Sequence, residues 1–189
     1  FISNVATLHG QRYEDTAIEI YCRITGKINH NFGLLCYSDV HKDLSDHNSE
    51  YDFIAGSPDG IAESINNPDI EPILIEVKCP YKRPIKDGII PDYYMPQVQL
   101  NLFICNLSIA DFIEYSPMDN KINIVRVYKD PRWFHKNLPV LCNFWNDVIN
   151  YRSIGIYTHP EMIKKEERKL KKIEREQKKL KCEQEQEQV

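Results

Sequence analysis

Ile73-Leu74-Ile75-Glu76-Val77-Lys78-Cys79-Pro80 is the stretch on which the reading of this chain turns. Its β-branched, apolar run is bounded by Pro72 and Pro80, which predicts a buried strand over 73–78. Yet that strand ends in Glu-x-Lys. Side chains alternate across a strand, so Glu76 and Lys78 share one face. Two opposite charges at the end of a buried strand are costly unless something offsets or uses them. Taken alone, the pair reads either as a salt-bridged strand end or as catalytic equipment.

Just upstream, Ser57-Pro58-Asp59-Gly60 reads as a tight turn that projects a carboxylate. It follows a predicted strand, Tyr51 to Ala55, with Ile61 to Glu63 continuing beyond it. Strand–turn–strand geometry brings Asp59 beside Glu76. Two close carboxylates repel, and a divalent cation relieves the repulsion; oxygen ligands of this kind suit Mg²⁺ or Mn²⁺. Such a metal, with Lys78 beside it, supplies what hydrolysis of a phosphodiester needs.

Further out, Tyr13, Ala17, Ile20, Tyr21 and Ile24 recur at helical spacing and predict a helix over 11–24. Residues 25–50 read as irregular apart from the apolar run Leu34 to Tyr37, with His41 to Glu50 an exposed loop. Ile65 to Pro72 reads as a turn because Asn66, Asn67 and Pro68 break structure. A helix is expected over 92–106, capped by Asp92, with Met95, Val98, Leu102 and Cys105 on one face. Ala110–Tyr115 and Ile122–Tyr128 predict a hairpin through Pro117–Asn120. A final core helix is expected from Asp130-Pro131 to about Arg152, kinked or broken at Pro139.

Four motifs in this order resemble the PD-(D/E)XK nuclease superfamily, and within it the phage lambda exonuclease or YqaJ-type viral recombinase family. They are Gly10, Glu14 and Ala17 as G-x-x-x-E-x-x-A, Ser57-Pro58-Asp59-Gly60, Ile75-Glu76-Val77-Lys78-Cys79-Pro80, and Tyr94-Met95-Pro96-Gln97-Val98-Gln99. The resemblance spans residues 10–99 and fades after about 130. It implies an α/β (α+β) fold: a restriction-endonuclease-like core with a small mixed β-sheet flanked by helices. It implies metal-dependent hydrolysis of DNA, with Asp59, Glu76 and the Val77 carbonyl as ligands and Lys78 as the catalytic lysine. Glu14 then serves a second metal or its water, and Gln97 contacts the nucleophile or phosphate. Tyr93 and Tyr94 read as DNA contacts or as half-buried core, and Cys79 as packing. The implied activity is 5′→3′ digestion of duplex ends in viral or phage-type recombination; the alternatives are an endonuclease of the same superfamily or a non-cleaving DNA-binding module. The resemblance also implies a ring-like trimer around DNA; separately, the charged tail over 160–189 reads as a dock for a partner such as a single-strand annealing protein.

Composition bounds these readings. The formal charge is −4, but residues 161–189 carry ten Lys/Arg against eight Glu, leaving fourteen basic and twenty acidic residues in 1–160. Acidic groups gathered at a metal site are compatible with DNA binding, so the total decides little. Six cysteines (Cys22, Cys36, Cys79, Cys105, Cys142 and Cys182) form no C-x-x-C pair, and six histidines form no H-E-x-x-H, which argues against zinc. Iron–sulfur relatives carry a close cysteine group after the catalytic helix; Cys142 stands alone there before the tail, so no cluster is expected. No window suits a membrane span or a signal peptide, so an intracellular, virus-encoded or host-cytoplasmic protein is expected.

Residues 1–157 are read as the nuclease domain and 158–189 as a charged helical tail. The chain begins at Phe1, ten residues before its helix motif, so an N-terminally truncated domain is expected. Ile163, Leu170, Ile173 and Leu180 fit heptad a and d positions, but Glu166 and Gln177 interrupt the seam, and the tail reads as a solvated helix.

Overall fold

The computed structural model describes residues 4–67 and 69–186, the last seven of these by backbone alone. Phe1, Pro68 and the side chains of Leu180 and Cys182, which entered the sequence reading, lie outside the described residues. Residues up to Asn137 form one compact unit and those from Leu138 another.

In the first unit, α1 (Val5–Thr25) begins at Asn4, whose side chain accepts from the Thr7 N–H, and ends at Gly26 in the left-handed conformation. Then come β1 (Lys27–His30), β2 (Leu35–Cys36), α2 (Tyr37–His41), β3 (Ala55–Gly56), β4 (Gly60–Ser64) and β5 (Ile73–Lys78). After a single 3-10 turn at Asp92–Tyr94 follow α3 (Met95–Ile104), β6 (Ile109–Ser116), β7 (Lys121–Tyr128) and α4 (Pro131–Ile154). Five strands form one sheet in the order β1-β4-β5-β6-β7, in which only β5 and β6 run parallel, joined by the α3 crossover. β2 and β3 pair separately.

The register sorts β5 into two faces. Ile75 and Val77 pack with Ala17, Tyr21, Ala62, Ile113 and Tyr115 beneath α1. Leu74 packs with Val98, Leu102, Ala110, Phe112 and Val127 beneath α3. Glu76 and Lys78 follow Leu74 onto the α3 face, as alternation demands. The sheet is therefore buried on both sides, which is why β5 carries a continuous apolar run.

The strand over 73–78 and the hairpin stand where the sequence places them, the turn closing with Asn120 at φ 53°. Other expectations need correction. Ile24 is exposed; Ile18 and Cys22 flank the buried stripe of α1 instead. The irregular stretch after the helix contains β1, an edge strand paired to β4. The strand expected at Tyr51–Ala55 is a 3-10 turn, Ser49–Tyr51, followed by the two-residue β3. Nor is the segment from His41 an exposed loop at its start. His41 is buried, stacks on Tyr37 at 4.0 Å, and bonds through Nε2 to the Phe103 carbonyl at 3.0 Å. Asp92 does not cap α3, whose N-cap is Tyr94. Pro139 lies inside α4 without ending it.

The second unit holds the rest of α4, a 3-10 turn at Ile156–Thr158, and α5 (Pro160–Gln186). Ile163, Leu170 and Ile173 are all exposed, as a solvated helix requires. Among the described residues no helix is long and apolar enough to cross a membrane.

One buried charge on the α1 face holds that layer together. Asp111 accepts from Tyr21 Oη at 2.8 Å and takes a two-pronged pair from Arg126, its β7 register partner, at 2.9 and 3.0 Å. Asp111→Ala strands the Tyr21 hydroxyl. The expected loss is about 2–3 kcal/mol in urea unfolding, below the cost of breaking a fully buried pair because Arg126 reaches solvent. Ile24→Ala, at an exposed site, should stay within about 0.5 kcal/mol.

Candidate active site

The cleft lies where β5 ends. It is lined by Ala6, Thr7, Gly10, Gln11 and Glu14 of α1, by Val77, Lys78, Cys79 and Pro80, and by Tyr94. Each wall has a local cause. Glu14 falls one turn before Ala17, which is fully buried against the sheet, so the carboxylate emerges at the helix's edge over the strand end. Gly10, one turn earlier, presents no side chain to the cleft, and a Cβ built there meets nothing within 4 Å.

Asp59 stands immediately before β4, whose Gly60 pairs with Ile75. Its Oδ2 accepts the Val77 N–H at 2.6 Å, which fixes the carboxylate against the end of β5. A Cβ at Gly60 would meet the Asn29 amide, so a larger residue here would have to displace that side chain. Glu76 is 0 % exposed. It bonds to Lys78 through Oε1 and accepts from Asn101 Nδ2 through Oε2 at 3.2 Å. Lys78 Nζ also lies 3.9 Å from Asp59 Oδ2 and 5.5 Å from the Tyr94 ring centre. The ammonium thus sits between two carboxylates.

Burial governs the electrostatics. It pushes the Glu76 carboxyl up to about 7, against the pull of Lys78, with Asp59 adding to the rise. Asp59 is also raised, by burial first, despite Lys78 and the Val77 N–H. Glu14 is raised by burial first and then by the charge of Asp59. Burial alone would lower Lys78, but Glu76 and Asp59 together hold it above its ordinary value. Cys79 is pushed up to about 12, chiefly by burial and then by Glu14, so it is a packed thiol rather than a nucleophile.

Of the three acids, Glu14 lines the cleft with Lys78, and Asp59 and the fully buried Glu76 face the Lys78 ammonium. The described residues contain no group of three His, Cys, Asp or Glu side chains that could hold a metal. A hard ion such as Mg²⁺, which keeps most of its waters, would need one or two carboxylates here. Asp59 and Glu76 are the carboxylates available, and Lys78 already occupies the space between them as a cation.

The structure gathers Glu14, Asp59, Glu76, Val77 and Lys78 around one strand end. It does not bring Gln97 into contact: this residue is exposed on the first turn of α3 and bonds to none of the described residues. Gln99, the other glutamine of the motif, is buried. It donates to the Tyr128 carbonyl at 2.9 Å and accepts the Asp130 N–H at 2.9 Å, pinning α3 to the end of β7. Tyr93 is exposed, while Tyr94 is half-buried, 5.3 Å from Phe112, and faces the cleft.

Asn101 went unseen in the sequence. It is buried, holds Glu76, and fits only because Gly56 has no side chain: a Cβ there would strike the Asn101 oxygen and Ile104. The available signal was a lone amide among apolar residues, one turn after Gln97 on the same helix face.

Residues 2–108 match the YqaJ-like viral recombinase domain. The chain is 32 % identical over 124 residues to uncharacterized protein R354 of Acanthamoeba polyphaga mimivirus, a stretch covering 60 % of this chain. That stretch is 21 % of the mimivirus protein, so the chain spans about a fifth of that relative. Among solved structures it resembles an alkaline exonuclease, LHK-Exo, from Laribacter hongkongensis. The TM-score is 0.63 at 24 % identity, covering 89 % of this chain and 77 % of that one. LHK-Exo in complex with dAMP gives the same TM-score and identity over 90 % and 77 %. At this identity the likeness is one of fold.

A carboxyl raised by burial loses stability as pH climbs through the window from its ordinary value of 4.5 to about 7. In chelator at pH 8, Glu76→Gln should therefore unfold at higher urea concentration than the native chain. The gain should shrink as pH falls through that window. A destabilised variant at pH 8 would show that the bond to Lys78 outweighs burial.

Proposed function

The chain belongs to the YqaJ-like viral recombinase domain family, and from that premise we propose that it is a Mg²⁺-dependent deoxyribonuclease cutting DNA during recombination. The observation that carries the reading is the meeting of Asp59, Glu76 and Lys78 at the end of one central strand. The fold shared with an alkaline exonuclease supports it, and favours digestion from an end over internal cutting; action on duplex ends in the 5′→3′ direction is part of the same proposal.

The residues divide the work as follows. Asp59 and Glu76, with the Val77 carbonyl, hold the ion. An ion of this kind supplies Lewis acidity at the scissile phosphate. Lys78, anchored between both carboxylates and over Tyr94, orients the attacking water, takes its proton, or neutralises charge on the phosphate. Glu14 faces the same cleft and orders water from the opposite wall. Asn101 is a positioning residue that keeps Glu76 turned toward the strand end. Gln97, exposed one turn before Asn101, is assigned to the DNA phosphate rather than to the ion, a role its exposure supports. A ring of three copies and hand-over of the remaining strand to an annealing protein belong to the same reading; a mass measurement in solution tests the first.

Linear duplex should be degraded with Mg²⁺ and spared in chelator, and covalently closed circles should be spared throughout. Cutting of closed circles would replace the exonuclease by an endonuclease. Glu76→Ala and Lys78→Ala should each lose at least a thousandfold in rate, in line with removal of a principal charge-stabilising group. Equal cleavage by Glu76→Ala and the native chain would remove the site. Asn101→Leu should lower kcat by about 10–100-fold with KM little changed, the range for a residue that orients a ligand.

A further inference from the structure

The second unit carries exposed apolar surface that the cleft does not use. On α5, Ile163, Leu170 and Ile173 are each about half exposed. Their spacings of seven and three set them in one stripe along a helix of 27 residues, about 40 Å long. Glu166 and Gln177 complete the stripe at heptad spacing. Around it, Lys164 pairs with Glu161 at 2.8 Å, Lys169 with Glu166 at 3.0 Å and Lys172 with Glu176 at 3.8 Å. Such pairs support a helix in water, but they leave these three apolar side chains uncovered.

The two ends of α5 differ in charge. Beside its first turn lies an apolar groove of about 390 Å³, lined by Phe144, Val148, Tyr151 and Met162, with Asp147 and Glu161 as its acids. Met162 stands next to Ile163, so the groove adjoins the stripe. Toward the other end the sequence runs Lys178-Lys179-Leu180-Lys181, before the next acid at Glu183.

A second α5 fits this stripe when it runs the opposite way. Leu170 then meets Ile173 of the copy, and Ile173 meets its Leu170. Ile163 falls level with position 180, a leucine in the sequence. Glu166 falls level with Gln177, so a carboxylate that accepts meets an amide that donates. Laid parallel, every residue meets itself, and Glu166 faces Glu166 within the seam. The flanks favour the parallel arrangement: there Lys169 meets Glu174 and Glu176 meets Lys181. Antiparallel, Lys169 meets Glu176 but Glu167 meets Glu174. Exposed flank pairs contribute little each, whereas two like charges taken out of water cost far more, so the seam decides. The ends agree with it. Antiparallel pairing brings Lys178, Lys179 and Lys181 within a turn of the acid-lined groove, while parallel pairing sets two acid-lined grooves side by side.

We propose that the α5 stripe is a docking surface for α5 of a second copy of this chain, running antiparallel and centred between Leu170 and Ile173. The proposal is independent of the nuclease reading and of any ring built by the first unit. The test is the solution mass of the full chain, followed by analytical ultracentrifugation over a range of concentrations.

The native chain should show a reversible doubling of mass as concentration rises. Leu170→Glu should weaken that step at least about a hundredfold, because each pair loses two leucines from its seam. Its far-ultraviolet circular dichroism should match that of the dilute native chain, which separates lost pairing from lost folding. Arg168→Gln and Arg175→Gln, on the opposite face of the helix, should leave the step unchanged. Gln177→Glu sets two carboxylates level in the antiparallel seam and should weaken pairing about tenfold. Adding Glu166→Lys turns each such layer into an opposite-charge pair and should restore it. In a parallel pair the same double variant faces Lys with Lys and Glu with Glu, so failure to restore pairing overturns the proposal. A doubling step that survives Leu170→Glu overturns it as well, and so does a native chain with no concentration-dependent doubling.

Discussion

A fully buried carboxylate, Glu76, on the central strand is the constraint to which the surrounding structure answers. Such a charge must find compensation within a few ångströms or it destabilises the fold. The compensation comes from Lys78 two residues along the strand and Asn101 from the crossover helix, while Asp59, just before β4, adds a second negative charge that shares the same ammonium. These neighbours impose demands of their own. Asn101 leaves no room for a side chain at Gly56 without moving, and the Asn29 amide crowds Gly60 beside Asp59. The short β2–β3 pair, whose Gly56 clears the way for Asn101, is in this sense part of the site.

The sequence made legible what is local. β5 and the β6–β7 hairpin announce themselves through β-branched runs, proline boundaries and a turn, so their register follows without knowledge of the partners. β1 does not: Lys27-Ile28-Asn29-His30 lies at the sheet edge with half its side chains in water, and only the ladder to β4 makes it a strand. Tyr51 misled because aromatic residues favour strands. Here the ring joins Tyr37 and Phe103 in a cluster, at 5.8 Å from each, and no sheet lies beside it to extend. Ile24 misled because the helical repeat continues to the end of α1, where Thr25 and Gly26 already close it.

The site was legible to the same degree. Asp59, Glu76 and Lys78 are close in sequence and tied by strand geometry, so their meeting follows from alternation and one turn. The glutamine motif was harder. Gln97 and Gln99 are two positions apart on a helix, so they point to different sides, and nothing in the pattern decides which one the sheet covers. The fold covers Gln99 and uses it to hold α3. Asn101 and Glu114 matter through partners 25 and 31 residues away in sequence, and a single chain offers no sign of those pairings.

Three buried acids on two strands show how a structural charge differs from a reactive one. Asp111 is saturated by Arg126 and the Tyr21 hydroxyl. Glu114 is held by Arg83 and Asn123. Glu76 has only an amide and an ammonium, and that ammonium is shared with a second carboxylate. It is the acid whose one counter-ion also serves a second carboxylate. Complete pairing would make the fold more stable and the strand end inert, whereas the incomplete pairing at Glu76 leaves room for chemistry.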